Sequence, residues 1–346
     1  MGTRADSNLW TGIGNVPAEV QGWFDQALLD FLPPEFMYMG YGERRNIPGN
    51  SGRTINLERP NMLTASTTAV DEFVTPAGQQ FSTTSVQATI AWYGTHVPFS
   101  SRAVSVGLIG NLLGKIKEVL AVHKKDTFDQ LTRDGLMAGT AASFIGGSAR
   151  TDVNSLITLA SITTAVNALI SGNVKTMKGR IEPSTGVGTK GMNPAYIMIG
   201  HTDLFADIVT AATSANWMDV ADYPSHQALL PNEVGTIRSV AGRNVRVCLT
   251  TNGKIWAGGG ASGTATFNDN GSNFDVYGVI IFGEKAYIET MINGKTNGVI
   301  VQPLGSAGSD DPMKQRGSIA WHDPYVAFIS DNARIYRIEC ACTGAS

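Results

Sequence analysis

Residues 108–138 read LIGNLLGKIKEVLAVHKKDTFDQLTRDGLMA. Leu108, Ile109, Leu112, Leu113, Ile116, Val119, Leu120, His123, Phe128 and Leu131 recur at spacings of three and four, with one wider gap after His123. That spacing predicts a single apolar stripe on a helix. Lys115, Lys117, Glu118, Lys124, Lys125, Asp126, Asp129 and Arg133 fall largely on the other faces. A helix of this length spans roughly 45 Å at 1.5 Å per residue, long for a globular domain and suited to a strut. The residues before it read as a long two-stranded excursion and those after it as a compact mixed domain. The helix is therefore predicted to be a spine carrying both.

A chain of 346 residues can bury a sizeable core, and its length suits two or three domains. Charged content is low, and Gly, Ala, Ser and Thr are abundant, without the signature of disorder. A formal charge of -3 does not suit a strong polyanion binder. The charge is uneven. Residues 1–100 hold five arginines against nine acids, whereas 101–150 hold seven bases against four acids. The basic stretch reads as a solvated helix face or one turned toward acidic partners or DNA. The three cysteines, Cys248, Cys340 and Cys342, make no disulfide framework and suit a reducing compartment. No signal peptide, myristoylation match or membrane-length apolar run is found, so a soluble cytoplasmic product is expected.

Residues 1–15 read as an arm, and Val20, Trp23, Phe24, Ala27, Leu28 and Phe31 as a short amphipathic helix ending at Pro33-Pro34. Turn chemistry at 46–52 leads into an alternating strand, Arg53–Arg59, and Ser82–Pro98 returns as a second. Between them lies an acidic tip, Asp71–Gln80. This excursion of about sixty residues cannot bury enough surface by itself, so a neighbouring subunit is expected beneath it. Ala141–Arg150 reads as a Gly-rich hinge, Ser155–Ile170 as a helix closed by Gly172, and Glu182–Asn193 as a loop. Pro194–Gly200 reads as a buried strand, followed by a helix capped by Thr202. Strands are predicted at Thr236–Thr250, Val276–Phe282, Ala286–Ile292, Val299–Gln302, Tyr325–Ile329 and Arg334–Cys340, with a loop over Gly258–Asn273.

Catalytic motifs are weak. Gly258-Gly-Gly260-Ala-Ser-Gly263 has the G-x-G-x-x-G spacing, but Thr264–Asn270 after it is not helical, as pyrophosphate binding would need. Gly188-Thr-Lys190 lacks the P-loop spacing, and no G-x-S-x-G elbow occurs. Histidines 96, 123, 201, 226 and 322 form no zinc pair, and Cys340 and Cys342 lack nearby ligand partners. His123, on the apolar stripe, reads as a core histidine. No enzymatic activity, cofactor or metal is expected.

One set of residues carries a resemblance. Ile47-Pro-Gly-Asn-Ser-Gly-Arg-Thr-Ile55, Glu72-Phe-Val-Thr-Pro76 and Ala91-Trp-Tyr-Gly-Thr-His-Val97 resemble the extended-loop signatures of the tailed-bacteriophage major capsid protein family. Asn232–Ile237 with Gly242–Val247 is similar to its central domain, and Gly317–Trp321 with Asn332–Ile338 to its closing strands. The resemblance covers roughly residues 20–340. It implies an α+β, Hong Kong 97-type capsid fold. Its parts would be an N-terminal arm (1–39), an extended β-hairpin loop (40–101), the long spine helix of a peripheral domain (102–150), an axial domain (151–275), and peripheral-domain strands with the C-terminus (276–346).

The resemblance further implies self-assembly into hexamers and pentamers of an icosahedral virion shell around double-stranded DNA, built in the host bacterial cytoplasm. Arg44, Arg45, Arg53 and Arg59 are the inter-subunit candidates, pairing with acids such as Asp71 and Glu72. Gly-rich stretches at 139–148 and 186–191 would absorb angular differences between shell positions. The first lysine is Lys115, so the loop cannot supply the lysine that cross-links the namesake phage, and a non-covalent shell is expected. A separate scaffolding protein, a portal and a decoration protein are the implied partners, with non-specific DNA contact and no membrane. The alternatives are an encapsulin-like nanocompartment shell, a soluble enzyme with an unrecognised site, and a phage tail or coat β-protein.

Overall fold

The computed structural model describes residues 35–73, 75–106, 112–177, 194–223, 230–263, 273–292, 298–306 and 311–343. The expected helix around Val20–Phe31, the start of the spine stripe at Leu108 and Ile109, the loop Glu182–Asn193 with its 186–191 hinge, and Thr264–Asn270 lie outside these residues. In chain order the elements are β1 (Glu43–Arg44), β2 (Thr54–Pro60), β3 (Thr83–Thr89), β4 (Ala91–Ser100), α1 (Ser101–Val106), α2 (Leu112–Met137) and β5 (Ala142–Phe144). Then come α3 (Leu159–Ser171), β6 (Ala195–His201), α4 (Phe205–Asn216), β7 (Trp217–Asp219), β8 (Glu233–Val240), β9 (Arg243–Thr250) and β10 (Ile255–Trp256). The last are β11 (Val276–Phe282), β12 (Tyr287–Thr290), β13 (Ile300–Gln302), β14 (Arg316–Ile329) and β15 (Ile335–Cys340).

The chain divides into two compact units, one containing 94–123 and 297–321, the other 34–93, 124–296 and 322–346. The larger unit is built on a mixed sheet of order β5-β15-β11-β6-β9-β8-β7, with β10 on β11. Its central strands β6, β9 and β11 are mostly apolar and buried at nearly every position, because both faces are covered. On one face Met198, Val247, Val279, Ile281 and Ile338 pack with Ile162, Val166 and Leu169 of α3 and with Ile208 and Ala212 of α4. On the other, the alternate residues Ile197, Ile199, Ile280, Phe282 and Ile335 pack with Leu136 and Met137 of α2 and with Met37, Tyr38 and Tyr41. The period-two alternation of the strands thus feeds two separate apolar layers. β8 and β9 turn through Ala241 (φ 47°) and Gly242 (φ 74°), the two positive φ values of a hairpin turn matched to strand twist.

The spine helix forms, with one revision to its faces. Leu120 and Phe128 are buried, as the stripe predicts, but Val119 and His123 are exposed. His123 is satisfied at the surface, where its Nδ1 accepts from Trp321 Nε1 at 3.3 Å. Asp129, expected on the polar side, is fully buried, and so is Thr132. Asp129 Oδ1 accepts the amides of Tyr38 (2.8 Å) and Met39 (3.1 Å), and Thr132 Oγ1 shares a 2.6 Å hydrogen bond with Tyr325 OH. Asp126 accepts Asn252 Nδ2 at 2.8 Å, and Arg133 donates to the Asn252 carbonyl at 2.9 Å. Hydrogen bonds to backbone and loop, as well as apolar contact, fix this half of the helix. Periodicity cannot reveal that.

Other boundaries also move. The 141–150 stretch is no open hinge. β5 pairs parallel with β15, Ile145 N donates to the Glu339 carbonyl at 2.9 Å, and a Cβ on Gly146 or Gly147 would lie about 2 Å from Asn154 or Asp152. α3 begins at Leu159 because Thr158 and Ser161 form a capping box; Leu156 bridges to Ala341 instead. The cap expected from Thr202 is supplied by His201, whose Nδ1 accepts the Asp203 amide at 3.2 Å. β14 starts nine residues before the expected Tyr325. It runs through His322-Asp323-Pro324, where Asp323 is buried and ion-paired with Lys124.

Leu120→Asp should place an unpaired charge in a closed site and abolish soluble, cooperatively folding protein, checked by circular dichroism of the purified variant. Asp129→Ala should cost about 1–3 kcal/mol by stranding two amides, and Asn less, in denaturant titrations. Burial raises the Asp129 pKa above its ordinary value, opposed by hydrogen bonds from Met39, Asn252, Tyr38 and Met37. The folded state therefore binds the proton more tightly than the unfolded chain. Relative to Asp129→Asn, the wild type should lose stability as pH rises from the ordinary carboxylate range through the raised pKa.

Candidate functional site

Ile55 and Leu57 alternate with Asn56 and Glu58, so one face of β2 can be apolar. The strand pairs antiparallel with β3 from Thr54↔Thr89 to Pro60↔Thr83. Ile55 opposes Ala88 and Leu57 opposes Val86 on one face, while the other face is solvent. The ribbon is anchored at its base. Ile47, Ile90 and Ile292 form a small buried cluster with Ile55 and Val326 packed on it, and Ile90 N donates to the Arg53 carbonyl at 2.8 Å. The chain before the ribbon runs beside β12, with Ile47 N donating to the Met291 carbonyl at 2.8 Å.

Above β2 and β3 the pairing ends in a polar clasp. Asn61 N donates to the Ser82 carbonyl at 2.9 Å, and Thr84 Oγ1 to Asn61 Oδ1 at 2.9 Å. Beyond it the chain is exposed, held across by Gln79 Nε2 donating to the Thr64 carbonyl at 2.8 Å. Met62 and Phe73 are each 98% exposed, and Leu63, Val70 and Phe81 are exposed with them. Large apolar side chains concentrated on one exposed excursion mark a surface that another molecule covers.

The charged candidates separate into two groups. Arg44 pairs with the buried Glu289 at 3.3 Å, and Glu289 also accepts the Gly40 amide at 2.8 Å. Arg45 pairs with Glu43 at 2.7 Å, and Arg59 with Asp331. Arg44 ties the chain before the ribbon to β12, Arg59 ties the far end of β2 to the chain after β14, and Arg45 makes only a local pair. Arg53, Asp71 and Glu72 are exposed and make no ion pair among the described residues; the structure does not bring Asp71 or Glu72 to any of the four arginines. Sequence reading missed Glu289 and Asp331 as the partners, because they lie more than 240 residues from Arg44 and Arg59 and no local pattern marks them.

Glycines 258–263 serve packing: Gly258 N donates to Asp275 and Gly260 N to the Phe274 carbonyl. The three cysteines are free and buried, and burial pushes the Cys248 thiol up to about 12. The described residues hold no cluster of three potential metal ligands, and no described helix is long and apolar enough to cross a membrane.

No protein-family model matches the sequence, and no curated protein does. Solved structures do. The capsid of Ralstonia phage GP4 matches with a TM-score of 0.64 at 12% identity, over 97% of this chain and 98% of that one. The capsid of cyanophage P-SCSP1u matches at 0.61 and 11% identity, over 97% and 98%. That of cyanophage Pam1 matches at 0.61 and 12%, over 93% and 96%. The chain has the tailed-phage capsid fold. This is the α+β, Hong Kong 97-type architecture, and the match spans both chains almost end to end. Within the capsid fold the ribbon of β2 and β3 is the excursion that its own chain leaves uncovered.

Ile90→Ala should cost about 2–5 kcal/mol as a buried large-to-small change. It should also speed hydrogen exchange in β2 and β3 more than in β6 or β9, as read by mass spectrometry.

Proposed function

We propose that this protein is the major capsid protein of a tailed phage, a structural rather than catalytic protein whose copies build hexamers and pentamers of an icosahedral shell around double-stranded DNA. The observation carrying this reading is the ribbon, which leaves Met62, Leu63, Val70, Phe73 and Phe81 exposed on a fold shared with phage capsids. Laid on an adjacent copy, it would bury those side chains and give its backbone groups partners. Arg53, Asp71 and Glu72 are then the inter-subunit charges, while Arg44 and Arg59 pair with Glu289 and Asp331 of their own chain and Arg45 with the neighbouring Glu43. The arm, extended loop, spine-bearing peripheral domain and axial domain would follow the boundaries given above. A scaffolding protein, a portal and a decoration protein are the expected partners, with the virion as destination after assembly in the host cytoplasm. DNA contact would be non-specific, since the chain is net acidic and counterions can neutralise packed DNA.

Electron microscopy and size-exclusion chromatography of the purified protein, with and without a scaffold, test the proposal. Closed shells, tubes or capsomer rings are expected; protein-filled shells would favour a nanocompartment. A monomer that persists with scaffold would overturn the assembly reading. The described residues of 62–80 are all exposed, so a variant lacking this stretch should stay folded by circular dichroism yet yield no stable shells.

A further inference from the structure

In the larger unit, the loop after α3, the turn between β11 and β12 and the turn between β14 and β15 meet around a cleft of about 290 Å³, near the lower end of the size range for small-molecule sites. Asn173, Lys175, Glu284, Lys285, Asp331 and Arg334 line it. The three segments hold one another by hydrogen bonds. Glu284 N donates to the Lys175 carbonyl at 3.0 Å, Gly283 N to the Arg334 carbonyl at 3.2 Å, and Arg334 Nη1 to the Lys285 carbonyl at 3.4 Å. A Cβ on Gly283 would lie 2.6 Å from the Lys175 carbonyl oxygen. The walls are thus fixed by their own chain, as a preformed site needs.

The charges of the cleft do not cancel. Asp331 is already engaged: Oδ1 accepts the Ala333 amide at 3.1 Å, and Oδ2 pairs with Arg59 and lies 3.9 Å from Arg334 Nε. That leaves Lys175, Lys285 and Arg334 against Glu284. Neither lysine side chain has an ion pair or hydrogen bond among the described residues. The C-terminal end of α3 attracts cations, which accounts for one of these bases and not for three. Lys285 also has φ 57°, a left-handed conformation that glycine adopts without strain and a residue with a Cβ seldom does. Such an outlier at the rim of a cleft points to a use for its side chain.

We infer that this cleft binds a hydrogen phosphate ion, held by Lys175, Lys285 and Arg334, with the Glu284 carboxylate accepting the anion's own O–H. Charge-assisted hydrogen bonds from Arg and Lys are the ordinary means of holding phosphate oxygens. Glu284 sets the choice among oxyanions. Hydrogen phosphate keeps an O–H at neutral pH, and an ionised carboxylate can only accept. Sulfate has no such proton and would meet Glu284 as like charge against like. The inference concerns a small ligand and does not rest on the assembly reading.

Phosphorus NMR of inorganic phosphate, titrated against the purified protein in chloride buffer, tests this. The resonance should broaden and shift saturably, with a Kd on the order of 1 mM or tighter. Sulfate should displace phosphate only at concentrations about tenfold higher, a gap that needs a modest difference in binding free energy. Lys175→Gln with Lys285→Gln should weaken phosphate binding about tenfold with circular dichroism unchanged, since both side chains are exposed. Glu284→Gln should narrow the gap between phosphate and sulfate, which a merely structural role for Glu284 would not do. A response that fails to saturate, sulfate competing as an equal in the wild type, or binding that survives the double substitution would each overturn the inference. Where the double variant does not fold, the wild-type competition between phosphate and sulfate decides.

Discussion

A sheet that is apolar on both faces must be covered on both faces, and that constraint organises the larger unit. The strands β6, β9 and β11 alternate two sets of buried side chains, each with its own cover. α3 and α4 close one layer. The other needs the C-terminal half of α2 together with the chain around Met37–Tyr41. Neither cover suffices alone, and Asp129 joins them, because its carboxylate accepts the Tyr38 and Met39 amides from within the helix. A buried carboxylate is costly to keep charged, so its amide partners become a condition of the packing.

The same unit holds a second set of buried charges near β15. Glu339 is fully buried and takes both Arg150 and Arg337, while the Arg150 guanidinium lies 3.7 Å from the centre of the Trp256 ring. Arginine suits that position because its planar group can stack on a ring and still present a fork of donors to a carboxylate. Burial leaves Arg337 less readily protonated than usual, though Glu339 opposes the effect. This network, with β5, ties the end of the spine helix to the sheet. A stretch rich in glycine is thereby paired and closely packed.

The ribbon follows the contrary logic. Two strands with one weakly apolar face cannot form a core, so the ribbon is held within the chain by the root cluster of Ile47, Ile90 and Ile292 and by the Arg59–Asp331 ion pair. Past Asn61 the described residues of the excursion are exposed, and it is there that the proposed shell contact would be made.

The sequence by itself determined the spine helix, the two ribbon strands and most of the sheet strands, because those signals are local. Spacings of three and four, or of two, report which side of an element is dry. The exposed tip was legible for the same reason, as polar and turn-rich residues between two strands. The tertiary structure alone decided which charges pair. Glu289 and Asp331 answer Arg44 and Arg59 from the far end of the chain, and Asp129 is drawn inside by amides 90 residues away. Caps and strand ends also depended on it. His201 displaced Thr202, and β14 ran through Asp323-Pro324 because Lys124 neutralises a buried acid there. Local spacing encodes burial, but partners distant in sequence meet only once the chain has folded.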